Sequence, residues 1–239
     1  MSALYMVELR LDAAALIRFA EDQGINSRKD EDLGYAAHAW LMAMFGQDAP
    51  KPFRLLHDRL GRKPPRLLGF SRKPGAELAE YAQSFALPSA LQACPLDSGF
   101  ASKSMPDSWQ AGRRLGFEVL ACPVSRLGQR EEDVYVRHLR ETEGAEQDRQ
   151  SREALYRQWL ARQLGGAARL EDFTLDGFGN VRFLRKAEGE GRRDFQRPQA
   201  LMGGVLQVQD GEAFNTLLAR GIGRHRAFGY GMLLLKPAP

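Results

Sequence analysis

This chain has almost no metal-site or disulfide vocabulary. Its two cysteines, Cys94 and Cys122, stand alone without a Cys-x-x-Cys pair. Reduced, structural thiols are therefore expected, with neither a disulfide framework nor a thiolate metal centre. There is no His-Glu-x-x-His, no paired Cys/His spacing and no recognisable carboxylate trio, so no metal and no cofactor are expected. The absence of Gly-x-Ser-x-Gly removes support for acyl-transfer hydrolysis. No apolar run approaches the length of a membrane span, and the N-terminus lacks a signal-peptide core, so a cytoplasmic protein without membrane attachment is expected. Lysine is scarce too. Seven of the 34 basic residues are lysine, which leaves 27 arginines. Forked guanidiniums suit phosphate contacts, although a GC-rich genome produces the same bias. The formal net charge of +4 is too small to mark a nucleic-acid protein, so its distribution carries the information. Acids collect at 131–133 and 141–148, and bases collect at 182–197 and near the end of the chain.

That end is the densest signal present: Gly221-Ile222-Gly223-Arg224-His225-Arg226-Ala227-Phe228-Gly229-Tyr230-Gly231. Ala213, Phe214, Leu217 and Leu218 precede it at helical spacing, and residues 230–235 follow as a buried strand. A glycine loop that leaves a helix and enters a strand reverses the common nucleotide-binding loops, which leave a strand and open a helix. Arg226 stands where a third dinucleotide-fold glycine belongs, and no Gly-Lys-Ser/Thr occurs. What remains is a backbone able to approach a phosphate chain closely, flanked by Arg224, His225 and Arg226. The alternative is a tight helix-to-strand turn with solvated charges.

The periodicity predicts two α+β units. In the first, a strand over 4–11 leads to a helix capped by Asp12. A second helix over 33–45 is closed by Gly46. Strands at 53–57 and 66–71 and a helix over 75–85 follow, then an irregular crossing over 98–110. The second unit opens with the strongest strand, 115–123. A polar insertion ends near Ser151, and a helix over 152–164 carries Leu155, Tyr156, Trp159 and Leu160 on one face. Strands at 169–175, 181–186 and 201–208 precede a helix over 211–220 and the final strand. The second half reads β-α-β-β-α-β with one hairpin strand interrupted or doubled, and the first reads as a degenerate version of the same unit, the ferredoxin-like (RRM-like) split βαβ, with domains expected at 1–107 and 112–239.

Only four histidines are available for proton chemistry. His57 and His138 lie at a strand end and in a charged segment, as ordinary surface or boundary residues. His225 sits in the glycine loop. On the 33–45 helix, Leu33, Ala37, Trp40, Leu41 and Met44 share one stripe, while Tyr35 and His38, at i and i+3, lie together away from it. They are either a solvent-side pair or an acid/base pair lining a cleft. A histidine, a tyrosine, several arginines and no metal suit RNA, whose 2′-hydroxyl is its own nucleophile. Arginines and loop amides then stabilise charge developing on the phosphoryl oxygens.

The chain resembles the CasE-type CRISPR repeat-processing endoribonucleases of type I-E systems and their close relatives. The likeness is strongest in Gly221-Ile222-Gly223 through Phe228-Gly229-x-Gly231-Met232-Leu233-Leu234. It extends in order through Gly112-Arg113-Arg114-Leu115-Gly116-Phe117-Glu118-Val119, Pro123-Val124, Trp159-Leu160 and Ala167-Ala168-Arg169-Leu170. The resemblance implies two tandem ferredoxin-like domains and metal-independent cleavage of CRISPR precursor RNA at the base of the repeat hairpin. A 2′,3′-cyclic phosphate and a 5′-hydroxyl would result. The protein would stay on the mature crRNA and join other subunits of a surveillance complex. It also implies that His38 is the catalytic histidine and Tyr35 its partner. Arg226 matches a basic loop position that is often lysine, and as a fixed cation it does not suit proton transfer. An extra helix over 12–23 delays His38 relative to many members.

RNA contacts are expected at Gly221, Gly223, Arg224, His225, Arg226 and Gly229 in the loop. A basic hairpin carrying Arg182, Arg185, Lys186, Arg192, Arg193 and Arg197 would add phosphate contacts in the groove of a stem, since A-form RNA is read by shape and phosphate; a solvated loop is the alternative. The competing class is a non-catalytic RNA-binding subunit with the same fold, for which Tyr35 and His38 would be dispensable. A small-molecule enzyme using the loop for a mononucleotide is disfavoured by the loop's order and spacing.

Overall fold

The computed structural model describes residues 3–25, 33–57, 63–128, 130–185 and 193–239 of the chain. Strand β1 (Tyr5–Arg10) turns Val7 and Leu9 fully inward, and the Asp12 carboxylate then accepts from the Ala15 amide at 2.8 Å to start helix α1 (Ala13–Asp22). Helix α2 (Leu33–Phe45) buries Ala36, Ala37, Trp40, Leu41, Met44 and Phe45. Its orientation is pinned where the Trp40 indole Nε1 donates to the Ala90 carbonyl at 2.9 Å. Strands β2 (Phe53–Leu56) and β3 (Arg66–Ser71) form a hairpin, followed by helices α3 (Gly75–Phe85), α4 (Pro88–Ala93) and α5 (Leu96–Gly99) and by strand β4 (Phe100–Ser104). The sheet runs β2-β3-β1-β4, antiparallel throughout.

The second unit opens with β5 (Arg114–Ala121). An insertion supplies the hairpin β6 (Val124–Leu127) and β7 (Arg130–Asp133) and helix α6 (Val134–Glu141). Helix α7 (Arg152–Leu164) starts where Ser151 accepts from the Ala154 amide. Strands β8 (Ala168–Arg185) and β9 (Arg193–Val208), helix α8 (Gly211–Arg220), a 3-10 turn at Arg226–Phe228 and strand β10 (Leu233–Pro237) complete it. Its main sheet runs β10-β5-β9-β8, again antiparallel. In both sheets the unit's first strand lies between its fourth and third, with the second beyond the third. That order is the ferredoxin-like one, so the expected pair of α+β ferredoxin-like units is present.

Several details differ from the sequence reading, each for a local reason. The supposed crossing over 98–110 contains β4. It was hidden because four of its five residues are exposed and it pairs with β1 through backbone alone. The strands expected at 169–175 and 181–186 are one continuous β8, whose alternation is broken by register shifts at Leu170/Asp172 and Leu175/Gly177. The polar insertion contains the β6–β7 hairpin and α6, whose charged faces gave no apolar stripe.

The two units pack on one another. Leu4 and Phe70 of the first join the apolar core of the second, among Phe117, Tyr156, Trp159 and Met202. Among the described residues no helix is long and apolar enough to cross a membrane.

Gly204, opposite the first β8 bulge, holds φ +143°, and a Cβ there would collide with the Asp172 carbonyl. Both neighbours are backbone and cannot rotate away. Gly204→Ala is expected to cost about 2 kcal/mol or more, roughly 4–8 °C in Tm at this chain length. A thermal melt unchanged from wild type would show that the bulge relaxes instead.

Candidate active site

With its apolar stripe turned into the first unit, α2 presents Tyr35 and His38 to the glycine loop of the second. Both are half-buried. Phe228 fills the space over them: its ring stacks on Tyr35 at a centroid distance of 6.1 Å and meets His38 edge-on at 5.2 Å. The pair therefore lies in a seam between the units, not on an open solvent face.

The loop reaches this seam because it lacks side chains at the contact points. Gly221 is buried with φ +78°, and a Cβ there would lie 2.8 Å from Pro52 Cγ. Gly229, also buried, approaches the Phe53 ring in the same way, and Gly223 lies against Trp159 of α7. The neck is closed by the Ile222 amide donating to the Gly231 carbonyl at 2.8 Å, and the Gly231 amide donates to Leu120 of β5 at 2.7 Å. The Phe228 amide donates to the His225 carbonyl at 2.8 Å and closes the 3-10 turn that carries the ring.

Charges converge on one carboxylate of the insertion hairpin. Glu131, on β7, accepts from Arg197 of β9 and Arg224 of the loop, and meets His225 Nε2 at 2.9 Å. Arg197 and His225 are 18% and 15% exposed, whereas Arg224 is 48% exposed. Only Arg224 can turn toward an incoming anion without leaving a buried site.

Burial pushes the His225 imidazole down to about 4, helped by the Arg197 and Arg224 guanidiniums. A neutral ring facing a carboxylate carries its proton on Nε2, since the carboxylate only accepts. His38 is also held below its ordinary value, first by burial and then by the Lys51 ammonium. It is thus an unprotonated base at neutral pH. A neutral imidazole, a phenol and cations around an apolar ring can take a proton from a hydroxyl and stabilise charge on a phosphoryl group. Among the described residues no three His, Cys, Asp or Glu side chains gather as a metal site.

The other expected positions are distributed unevenly. Arg226 donates from Nη1 to the Arg220 carbonyl at 2.7 Å and so caps the C-terminal end of α8. Arg182 and Arg185 lie on β8 and Arg193 on β9, at the far end of the long hairpin, where Arg185 pairs in register with Arg193. Lys186 and Arg192 lie outside the described residues. Sequence reasoning missed Glu131, Lys51 and Phe228. Glu131 looked like one member of an acidic run. Its role depends on partners 66 to 94 positions away in the chain, for which one sequence offers no signal.

Comparison with known proteins agrees with this architecture. No curated protein matches the chain. A solved CRISPR endoribonuclease Cse3 bound to a 19-nt RNA is similar over 98% of this chain and 100% of its own, at 23% identity and a TM-score of 0.69. Thermus thermophilus Cse3 bound to an RNA representing a pre-cleavage complex is similar over the same shares, at 21% identity and a TM-score of 0.66. A chain of a CRISPR RNA-guided surveillance complex is similar over 98% of this chain and 100% of its own, at 16% identity and a TM-score of 0.57. At such identities these likenesses bear on the fold. The family described as CRISPR associated protein matches residues 4–237, and the chain belongs to that family.

Proposed function

We propose that this protein is a metal-independent endoribonuclease that cuts CRISPR precursor RNA at the base of the repeat hairpin and stays on the mature crRNA within a surveillance complex. The observation that carries the reading is the seating of Tyr35 and His38, from one unit, against Phe228 in the glycine loop of the other. Two further facts support it: membership of the CRISPR associated family and the fold shared with Cse3 structures that hold RNA. A pure RNA binder has no need of a half-buried imidazole kept neutral beside a lysine.

In the proposed reaction His38 takes the proton of the 2′-hydroxyl at the scissile nucleotide. The 2′-oxygen attacks the adjacent phosphorus, and the bond from phosphorus to the 5′-oxygen breaks. The leaving oxygen takes a proton from water. A 2′,3′-cyclic phosphate and a 5′-hydroxyl result. Tyr35 donates a hydrogen bond to a phosphoryl oxygen, and Lys51 and Arg224 stabilise the charge that develops there. The stem lies along the long β8–β9 hairpin, with Arg182, Arg185, Lys186, Arg192 and Arg193 on its phosphates.

Cleavage of a repeat hairpin is expected to survive excess EDTA, vanish when the scissile nucleotide is 2′-deoxy, and be lost in His38→Ala while hairpin binding persists. Tight binding without cleavage across a broad repeat panel would favour the non-catalytic subunit. Because His38 acts in its neutral form and is held below its ordinary value, the rate should fall only under acid conditions. The midpoint of the acid limb is expected below about pH 6.5; a midpoint above that value would remove His38 as the base. Charge reversal at Arg192 and Arg193 is expected to weaken binding and flatten its dependence on salt by about one unit of log–log slope per lost phosphate contact. An unchanged slope would take that segment out of the interface.

A further inference from the structure

The insertion hairpin is unused by the mechanism above, yet one of its largely buried acids, Glu131, reaches the loop on which that mechanism depends. Two residues along β7 from Glu131, Asp133 is fixed on three sides. It accepts from the Tyr135 amide at 2.8 Å, from Arg152 at 2.7 Å and from the Tyr156 hydroxyl at 2.9 Å. The Arg152 guanidinium is in turn held between the rings of Tyr135 and Phe178, at 4.0 and 3.9 Å from their centroids. Strand β7 is therefore a rigid base for Glu131.

From that base Glu131 holds Arg197, Arg224 and His225. His225 has φ 60°, the only positive value at a non-glycine residue among those described. A side chain with a Cβ keeps that conformation only where its surroundings enforce it. The His225 carbonyl accepts from the Phe228 amide, so the same residue sets where the Phe228 ring stands.

We propose that Glu131 is a positioning residue for the Tyr35–His38 pair. By gathering two arginines and His225 on one carboxylate it fixes the loop conformation that seats Phe228 against both side chains. The path runs Glu131, His225, Phe228, His38, and each step is a hydrogen bond or ring contact. The insertion thus acts on the chemistry without touching the substrate. This role rests on the endoribonuclease reading for its kinetic consequence, but its structural half stands apart from that reading.

Glu131→Gln in the full chain keeps the shape and removes the charge. With Phe228 no longer held, water reaches His38. Its remaining neighbours are Lys51, Tyr35 on its own helix, and His225 beyond the Phe228 ring. An NMR titration of the His38 imidazole without RNA is expected to move up toward the ordinary histidine value. Single-turnover cleavage at saturating hairpin RNA should fall by about a hundredfold, the scale of a displaced catalytic group, with the Kd for RNA changed by roughly threefold or less. Glu131→Asp, charged but shorter, should recover part of both effects. It carries the same test if the glutamine variant does not fold. An unmoved His38 titration together with wild-type cleavage overturns the proposal, as does lost binding at an unchanged rate. If wild-type protein cuts no repeat RNA, the endoribonuclease reading fails, and the titration still decides the role of Glu131.

Discussion

The site depends on one close approach: the backbone of the glycine loop lying on Pro52 and Phe53 of the first unit. Gly221 and Gly229 have positive φ and are buried against those side chains. A methyl group at Gly221 would push the loop off Pro52 and take Phe228 away from α2 with it. Each ferredoxin-like unit contributes something the other lacks. The first supplies a helix whose apolar stripe is fully committed to its own core, which leaves Tyr35 and His38 facing outward. The second supplies a loop that ends a helix and enters a strand, and so must cross the seam at a defined height. Packing energy from the shared core around Leu4 and Phe70 holds the two together.

Electrostatics then sort the cations. With 34 basic residues against 30 acidic ones, most arginines need a carboxylate or a solvated position. Glu131 takes two arginines, Asp133 takes Arg152, and Glu171 takes Arg114 and Arg169. Arg226 instead spends a donor on the end of α8. Its fixed charge costs nothing there, because the last carbonyls of a helix favour a cation. The exposed Arg224 is the loop cation best placed to exchange its carboxylate for a phosphate.

Much of this was legible in the sequence wherever a residue's role is local. Helices α2, α3, α7 and α8 fall where apolar spacing puts them, with side-chain caps from Ser151 and Asp210 at α7 and α8, because burying a stripe and satisfying the first amides are decided within one helix length. Strand β4 was not legible, since an edge strand with one half-buried residue carries no alternation. The Tyr35/His38 pair stood out by facing away from its stripe, but what it faces is 190 residues further along, and no spacing rule reaches that far. The glycine loop was recognised as a place of close backbone approach. At Gly221, Gly223 and Gly229 the approaching atoms include the protein's own Pro52, Trp159 and Phe53.

Two histidines flank Phe228, and their surroundings assign them different work. His225 has its Nε2 on Glu131, two guanidiniums beside it and a value near 4. Both its proton and its orientation are committed, which makes it a strut. His38 is lowered by the same cause, loss of water, and by the Lys51 ammonium. Its ring, however, meets Phe228 edge-on, and among the described residues no carboxylate holds it in the way Glu131 holds His225. A neutral imidazole next to a lysine, with an apolar ring on one side, is a base that can take a proton from a hydroxyl brought beside it. The seam between the units is where a polyanion drawn by Arg224 and Lys51 would deliver one. On the proposed reading, a structural histidine and a catalytic one are separated by a single aromatic ring, and the carboxylate that fixes the first sets how well the second is enclosed.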